Sequence, residues 1–183
     1  VEFKIIYGVE NYFVNDLTNV VFGDSQEPFS GDFVVFDVET TGINAQKERL
    51  TEIGAVSVNN GKLGEEYNTF VNPQKPIPPK ITELTGITDI MVADAPSDEK
   101  ALIDFLKFVN GRTLVAHNAA FDIGFLSATA KRYSIPFSCT YIDTLALARA
   151  LYPTLPNHKL DTIAKRLDLG DFNHHRACDD AKI

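Results

Sequence analysis

The strongest structural signal in the chain is the stretch FVVFDVE, which occupies residues 33–39. Its first four residues form a continuous apolar run, which is typical of a central β-strand covered on both faces. Asp37 and Glu39 follow that run, and the two-residue period of a strand places both side chains on one face. Two neighbouring carboxylates disfavour joint ionisation unless a cation lies between them. The pair predicts a cation site or, equally well when taken alone, one solvent-facing acid and one acid that caps the following turn.

The segments after this strand predict a mixed sheet with helices on both faces. Strand patterns at 53–58 and 67–71 flank the sequence Asn59-Asn60-Gly61, which is typical of a hairpin turn. Two shorter strands, 114–116 and 141–142, alternate with helices. The helical patterns cover 81–85, 97–109, 119–133, 145–151 and 160–167. Hairpin-joined strands followed by alternating helices and strands place the chain in the α/β class.

The amino-acid composition excludes several classes of protein. The 183 residues include 17 Lys and Arg against 25 Asp and Glu, so the formal charge is −8. This charge excludes a basic nucleic-acid binder of the usual kind, and the 44% of hydrophobic residues excludes disorder throughout the chain. No apolar run approaches the ~18 residues of a membrane span. Two cysteines, Cys139 and Cys178, cannot form a disulfide framework, and we expect a reducing, cytoplasmic setting without membrane contact.

A change in character near residue 30 predicts a domain boundary. Residues 23–32 are rich in turn formers, and residues 1–30 hold five acids and one Lys, a charge of −4. So short a segment cannot bury a core of its own. We expect one domain over 31–183 and a flank over 1–30 that is either a packed arm or a remnant of a neighbouring domain.

Two further acidic positions leave several interpretations open. Asp122 falls in the first turn of the predicted helix 119–133, where an acid is favoured by the helix dipole, so capping is the simpler interpretation. The sequence HHRACDD over 174–180 fits a zinc site made by His174, His175 and Cys178, a Cys–His nucleophile pair, or a solvated helix start. It also fits a histidine general base beside an aspartate ligand.

The acidic clusters are more informative together than singly. Each one lies at a strand end or a helix start, and carboxylate oxygens are the ligands that Mg²⁺ and Mn²⁺ prefer. Two such ions ~4 Å apart can hold the attacking and leaving oxygens of a phosphodiester, and a histidine can take the proton of the attacking water. Bound cations would also attract phosphate to a protein that is itself acidic.

Three motifs in order give the chain a family resemblance. The sequence FDVETTG at 36–42 resembles the first motif of the DEDDh family of 3′→5′ exonucleases, and HNAAFD at 117–122 resembles the second. His175 and Asp180 match the spacing of the third. The resemblance covers about 31–183 and implies an RNase H-like fold with a five-stranded mixed sheet.

The resemblance also implies roles for individual residues. Two Mg²⁺ or Mn²⁺ ions would be held by Asp37, Glu39, Asp122 and Asp180, with Asp37 bridging both ions. His175 would orient or deprotonate the attacking water. The 3′-terminal nucleotide would be held by the backbone of Thr40, Thr41 and Gly42 together with Asn118 and Phe121.

The N-terminal flank narrows the expected substrate. Residues 6–12 resemble part of the polymerase-and-histidinol-phosphatase domain that surrounds the exonuclease in PolC-type DNA polymerase III. This implies a proofreading module that acts on single-stranded or frayed DNA 3′ ends, with polymerase domains in the same polypeptide. The motifs alone fit an exoribonuclease of short RNA equally well. The family continues into a full helix after Asp180, whereas this sequence ends at Ile183, so we expect Asp180 and His175 to be weakly fixed.

Overall fold

A six-stranded mixed sheet organises the computed structural model, which describes residues 19–23, 31–169 and 176–183. The strand order is β1-β6-β5-β2-β3-β4. The strands are β1 (Val21–Phe22), β2 (Asp32–Thr40), β3 (Leu50–Asn59), β4 (Lys62–Phe70), β5 (Thr113–Ala116) and β6 (Tyr141–Asp143). The helices are α1 (Pro79–Thr85), α2 (Asp89–Val92), α3 (Asp98–Val109), α4 (Ala119–Arg132), α5 (Thr144–Leu151), α6 (Leu160–Leu167) and α7 (Ala177–Ala181). The predicted α/β class is confirmed.

The predicted number of five strands is wrong by one. Val21 and Phe22 pair antiparallel with Ile142 and Tyr141, and the Phe22 and Tyr141 rings stack with centroids 4.7 Å apart. Two residues are too few to show the alternation by which a strand is detected in a sequence. Part of the N-terminal flank therefore extends the sheet. The stretch 6–12 and the rest of 1–18 lie outside the described residues.

Strand β2 lies in the middle of the sheet, antiparallel to β3 and parallel to β5. The side chains of Val34, Phe36 and Val38 are buried against α3 and α4. The alternate side chains, including Asp37 and Glu39, point to the opposite face because successive residues of a strand alternate. Helix α7 packs on that second face against β2 and β3.

Local sequence signals set the ends of several elements. The hairpin turn between β3 and β4 places Asn60 at φ 49° and Gly61 at φ 71°, as the Asn-Gly signal predicts. Helix α3 begins after Ser97, whose hydroxyl accepts a hydrogen bond from the Lys100 N–H at 3.3 Å. Helix α1 ends at Gly86 in the left-handed conformation. Among the described residues, no helix combines the length and apolar character needed to cross a membrane.

Candidate functional site

Three carboxylates meet on the face of the sheet that carries α7. Asp37 and Glu39 come from β2, and Asp180 comes from α7, more than 140 positions later in the chain. One carboxylate oxygen from each residue lies within 4.8 Å of the others. The structure therefore joins the first and third acidic clusters that the sequence analysis singled out.

Asp122 reaches the same strand from the other side. It is 2% exposed in the first turn of α4, and its Oδ1 accepts a hydrogen bond from the Val38 N–H at 3.2 Å. The pairing of β2 with β5 ends at Val35 and Val115, which leaves the next part of that strand edge available to α4. Asp122 is not a member of the three-carboxylate group, but it lies against the residue between Asp37 and Glu39.

The electrostatics of the cluster are unfavourable for ionised carboxylates. Burial raises the pKa of Asp37 well above its usual value, and the charges of Asp122, Glu39 and Asp180 raise it further. Burial, Asp180 and Glu52 raise the pKa of Glu39 to about 7, while Arg176 opposes the shift. The pKa of Asp122 is also raised, chiefly by burial and against the Val38 hydrogen bond. Near neutral pH these groups compete with one another for ionisation.

The cluster fits a hard divalent cation. Its donor atoms are all carboxylate oxygens, the ligand type that Mg²⁺ and Mn²⁺ prefer. Two oxygens bound to one Mg²⁺ at about 2.1 Å lie no more than about 4.2 Å apart. The observed limit of 4.8 Å is only slightly wider, so small side-chain movements bring the oxygens to ligand distance.

Gly54 provides the seat on which α7 approaches β3. It pairs with Asp37 in the β2–β3 register, and a Cβ atom at this position would lie 2.1 Å from the Cys178 backbone nitrogen. Such a distance is far shorter than any van der Waals contact, so only glycine allows the helix to lie this close to the strand. The close approach brings Asp180 beside Asp37.

The second predicted motif is held by the chain that follows β6. The His117 ring contacts the Thr144 hydroxyl through Nδ1 at 3.0 Å and the His158 carbonyl oxygen through Nε2 at 2.8 Å. Asn118 adopts a left-handed conformation, and its N–H donates to Asp143 Oδ1 at 3.1 Å. These contacts fix the start of α4, which carries Asp122.

The predicted substrate-binding residues near β2 are already engaged within the protein. The Thr40 hydroxyl donates to the Gly42 carbonyl at 2.7 Å, and the Thr41 hydroxyl donates to Glu48 Oε2 at 2.6 Å. Phe121 is half-buried, with its ring centroid 5.1 Å from that of Phe125. The two hydroxyls therefore hold the loop in shape, and the prediction for Thr40, Thr41 and Gly42 concerns their backbone.

The third motif is described only from Arg176 onward, so His174 and His175 lie outside the described residues. Cys178 is buried on α7, and its thiol contacts Glu66 Oε2 at 3.6 Å. Burial raises the pKa of that thiol, which is the reverse of what activates a cysteine nucleophile. The interpretation of Cys178 as a nucleophile therefore loses its main support.

Sequence reasoning missed three residues of the site. Glu52, Gly54 and Arg176 surround α7 and the carboxylates, yet Glu52 and Gly54 lie inside an otherwise ordinary strand pattern. One signal was present in the sequence: a charged residue within an apolar strand needs a buried partner. The partner itself, 124 positions away, is not identifiable without the fold.

Comparisons with known proteins agree with this architecture. A family model described as "RNase_T: Exonuclease" matches residues 34–183. PolC-type DNA polymerase III of Caldanaerobacter subterraneus subsp. tengcongensis is 48% identical over 179 residues, which are 98% of this chain and 13% of that protein. The Bacillus subtilis protein of the same name is 40% identical over 182 residues, with the same coverage of 98% and 13%. The chain thus spans about an eighth of the length of these relatives.

A solved structure adds an independent comparison. Exonuclease X in complex with 5′-overhanging duplex DNA is 30% identical, with a TM-score of 0.64 over 81% of this chain and 84% of that one. Similarity of this extent in both sequence and fold confirms the expected RNase H-like arrangement of sheet and helices.

Proposed function

The chain belongs to the RNase T family of exonucleases and is a 3′→5′ exonuclease related to one region of PolC-type DNA polymerase III; on that premise we propose that it removes nucleotides from DNA 3′ ends with two divalent cations. The observation that carries the proposal is the meeting of Asp37, Glu39 and Asp180 within 4.8 Å. Buried acids that face one another need a positive charge among them.

We expect different sets of acidic residues to bind the two cations. Asp37, Glu39 and Asp180 would hold one Mg²⁺ or Mn²⁺, and Asp37 would share a second ion with Asp122, which lies against Val38. Bound there, the cations supply Lewis-acid stabilisation of the charge that develops on the scissile phosphate. The raised pKa values of Asp37 and Glu39 mean that protons compete with the cations for these sites.

We assign the proton acceptor to His175, which directly precedes Arg176. A histidine ring titrates near neutral pH and is suited to take a proton from the attacking water. The contacts of Arg176 with β3 and of α7 with β2 and β3 hold the residues from Arg176 onward beside the carboxylates. The assignment rests on the motif spacing between His175 and Asp180.

The terminal nucleotide would lie between the loop after β2 and the start of α4. Backbone groups of Thr40, Thr41 and Gly42 would contact the sugar and phosphate, and Asn118 would contact the nucleotide from α4. Phe121 offers an aromatic face, and base stacking on such a ring tolerates any base. A single strand suits this arrangement better than a duplex, so frayed and mismatched ends are the expected substrate.

The relatives indicate DNA as the substrate and a polymerase as the setting. The chain covers 13% of a protein named DNA polymerase III, so we propose that it acts as the proofreading module of a longer polypeptide. Mispaired 3′ ends formed by the polymerase region would then pass to this site.

A timed digestion tests the activity directly. The wild-type chain is incubated with 3′-labelled and 5′-labelled single-stranded DNA, in Mn²⁺ or in EDTA, alongside RNA of the same sequence. We expect immediate release of the 3′ label as mononucleotide, a descending ladder from the 5′-labelled strand, and no reaction in EDTA. Early loss of the 5′ label, or cleavage in EDTA, would contradict the proposal, and faster digestion of RNA would assign the enzyme to ribonucleolysis.

A further inference from the structure

The strand register places one row of side chains on the face of the sheet that packs against the start of α7. Glu39 on β2 pairs with Glu52 on β3, which pairs in turn with Phe70 on β4. Residues paired across antiparallel strands point to the same face of the sheet. The next row, Asp37 and Gly54, lies beside it on the same face. The catalytic cluster and Glu52 are therefore immediate neighbours.

Within the described part of the chain, Glu52 accepts its hydrogen bonds from the residues that begin α7. Its side chain is fully buried, and its carboxylate accepts from Arg176 Nη2 at 3.2 Å and from Arg176 Nε at 3.4 Å. The Ala177 N–H approaches the same carboxylate at 3.4 Å. The Arg176 guanidinium also lies over the Phe70 ring, 5.5 Å from its centroid. Glu52 thus fixes both the side chain and the backbone at the entry to α7.

A single helical turn connects this contact to the metal site. The Asp180 N–H donates to the Arg176 carbonyl oxygen at 3.0 Å, so the residue that Glu52 holds also sets the backbone position of Asp180. Helix α7 packs against β2 and β3, and the Gly54 seat and the Glu52 contact lie between the helix and β3.

Stability alone does not account for an acid at this position. Glu52 lies directly opposite Glu39, and two facing like charges destabilise a sheet. A buried ion pair is often replaced by apolar residues at no cost to folding. The contact does, however, specify one position of α7, which a smooth apolar surface would not.

We propose that Glu52, acting through Arg176, is a positioning residue of the exonuclease: it holds Asp180 at ligand distance from Asp37. The inference rests on the proposed metal-dependent function. It assigns Glu52 no contact with the substrate, and its effect is expected in cation affinity and in kcat rather than in the KM for DNA.

Three variants of the full chain separate positioning from electrostatics. Glu52→Gln keeps the size of the side chain and removes its charge. Arg176→Met keeps the length of the side chain and removes the positive charge. Glu66→Gln is the matched control, because Glu66 contacts the other end of α7 through Lys182 at 2.9 Å and is exposed. Each is measured by calorimetric titration with Mn²⁺, by hydrogen exchange of the amides of 177–183, and by kcat and KM at saturating Mn²⁺.

The Arg176→Met variant gives the decisive comparison. If Arg176 acted only through its charge, its removal would tighten Mn²⁺ binding to an acidic site. Positioning predicts the opposite: about 10–100-fold weaker Mn²⁺ binding in both Arg176→Met and Glu52→Gln, with faster exchange in α7. The control should stay within about twofold of the wild type, in line with the small contribution of exposed ion pairs.

The double variant tests whether the two residues act as one unit. We expect Glu52→Gln with Arg176→Met to bind Mn²⁺ no more weakly than the weaker single variant. Tighter or unchanged Mn²⁺ binding in Arg176→Met would overturn the inference, as would independent, multiplicative effects in the double variant. Should Glu52→Gln fail to fold, Arg176→Met carries the test, because its side chain is 41% exposed. A wild-type chain that binds Mn²⁺ but digests no DNA would refute the proposed function and leave the binding comparison intact.

Discussion

Two buried acidic sites in this protein have opposite electrostatic surroundings. Asp98, at the start of α3, is 2% exposed and accepts from Arg132 Nη1 at 2.8 Å and from the Tyr133 hydroxyl at 2.6 Å, with Arg49 Nε 3.7 Å away. Asp37 instead lies near four other carboxylates, whose charges raise its pKa. Both acids lose water on folding, and among the described residues Asp98 receives side-chain donors in exchange. The protein's own side chains complete the first site, whereas a bound cation would complete the second, as the proposed function requires.

The largest expected effect is the loss of activity in Asp37→Ala. We expect a rate lower by about 10⁴-fold, because this carboxylate would hold both ions and their Lewis-acid stabilisation amounts to several kcal/mol. In EDTA the variant should unfold at or above the wild-type temperature, since an unfavourable buried charge is removed. Single-turnover digestion and thermal unfolding measure the two quantities. Wild-type digestion rates in this variant would remove the basis of the assignment.

His175→Ala sharpens the distinction between ligands and proton acceptor. We expect a rate about 10²–10⁴-fold lower, with Mn²⁺ affinity nearly unchanged, because the histidine would move a proton rather than bind an ion. The pH dependence of single-turnover digestion and calorimetric titration provide the measurements. A rate–pH profile identical to that of the wild type would rule out the role of His175.

We expect Asp98→Ala to lower stability and leave activity unchanged, which is the reverse of the effects expected for Asp37→Ala. Removing the acid leaves Arg49 and Arg132 without their partner, and breaking a buried pair costs about 3 kcal/mol of unfolding free energy. The two arginines are 28% and 21% exposed and can regain water, which keeps the cost at the lower end of the range. Urea unfolding measures it, and kcat at a temperature where the variant is folded should match the wild type. An undiminished unfolding free energy would show that the two sites do not differ as described.

The smallest effect expected is in the pH dependence of stability. The pKa of Glu39 is raised from 4.5 to about 7, so the folded chain holds its proton more tightly than the unfolded chain does. Without metal, the contribution of Glu39 to stability is therefore greatest below about pH 4.5 and is lost as the pH rises through 7, by roughly 2–3 kcal/mol. Urea unfolding in EDTA from pH 5 to 8 checks the trend, and Mn²⁺ should reverse it; a stability that rises over this range in EDTA would contradict it.

The sequence predicts the structural features that are determined by residues close together along the chain. The apolar run before Asp37, the Asn-Gly hairpin and the Ser97 cap each act within a few residues, and all three are present in the structure. The strand Val21–Phe22 is too short to show a period, so the sheet has one strand more than predicted.

The same contrast holds at the candidate site. Motif spacing singled out Asp37, Glu39 and Asp180 because the chemistry of a divalent cation requires carboxylates. Gly54 acts through shape and Glu52 through a partner 124 positions away. The local sequence shows a charge within an apolar strand at Glu52, but it identifies neither the partner nor the close approach at Gly54. Only the fold shows that they form the seat of α7.

Proton release on metal binding tests the central claim most directly. Mn²⁺ is titrated into the wild-type chain in two buffers of different ionisation enthalpy, at pH 6.5 and again at pH 8.5. If the carboxylates of Asp37, Glu39, Asp122 and Asp180 tolerate one another only around cations, two ions bind, and protons leave in larger number at pH 6.5 than at pH 8.5. Absence of Mn²⁺ binding, or binding with the same small proton release at both pH values, would contradict the account.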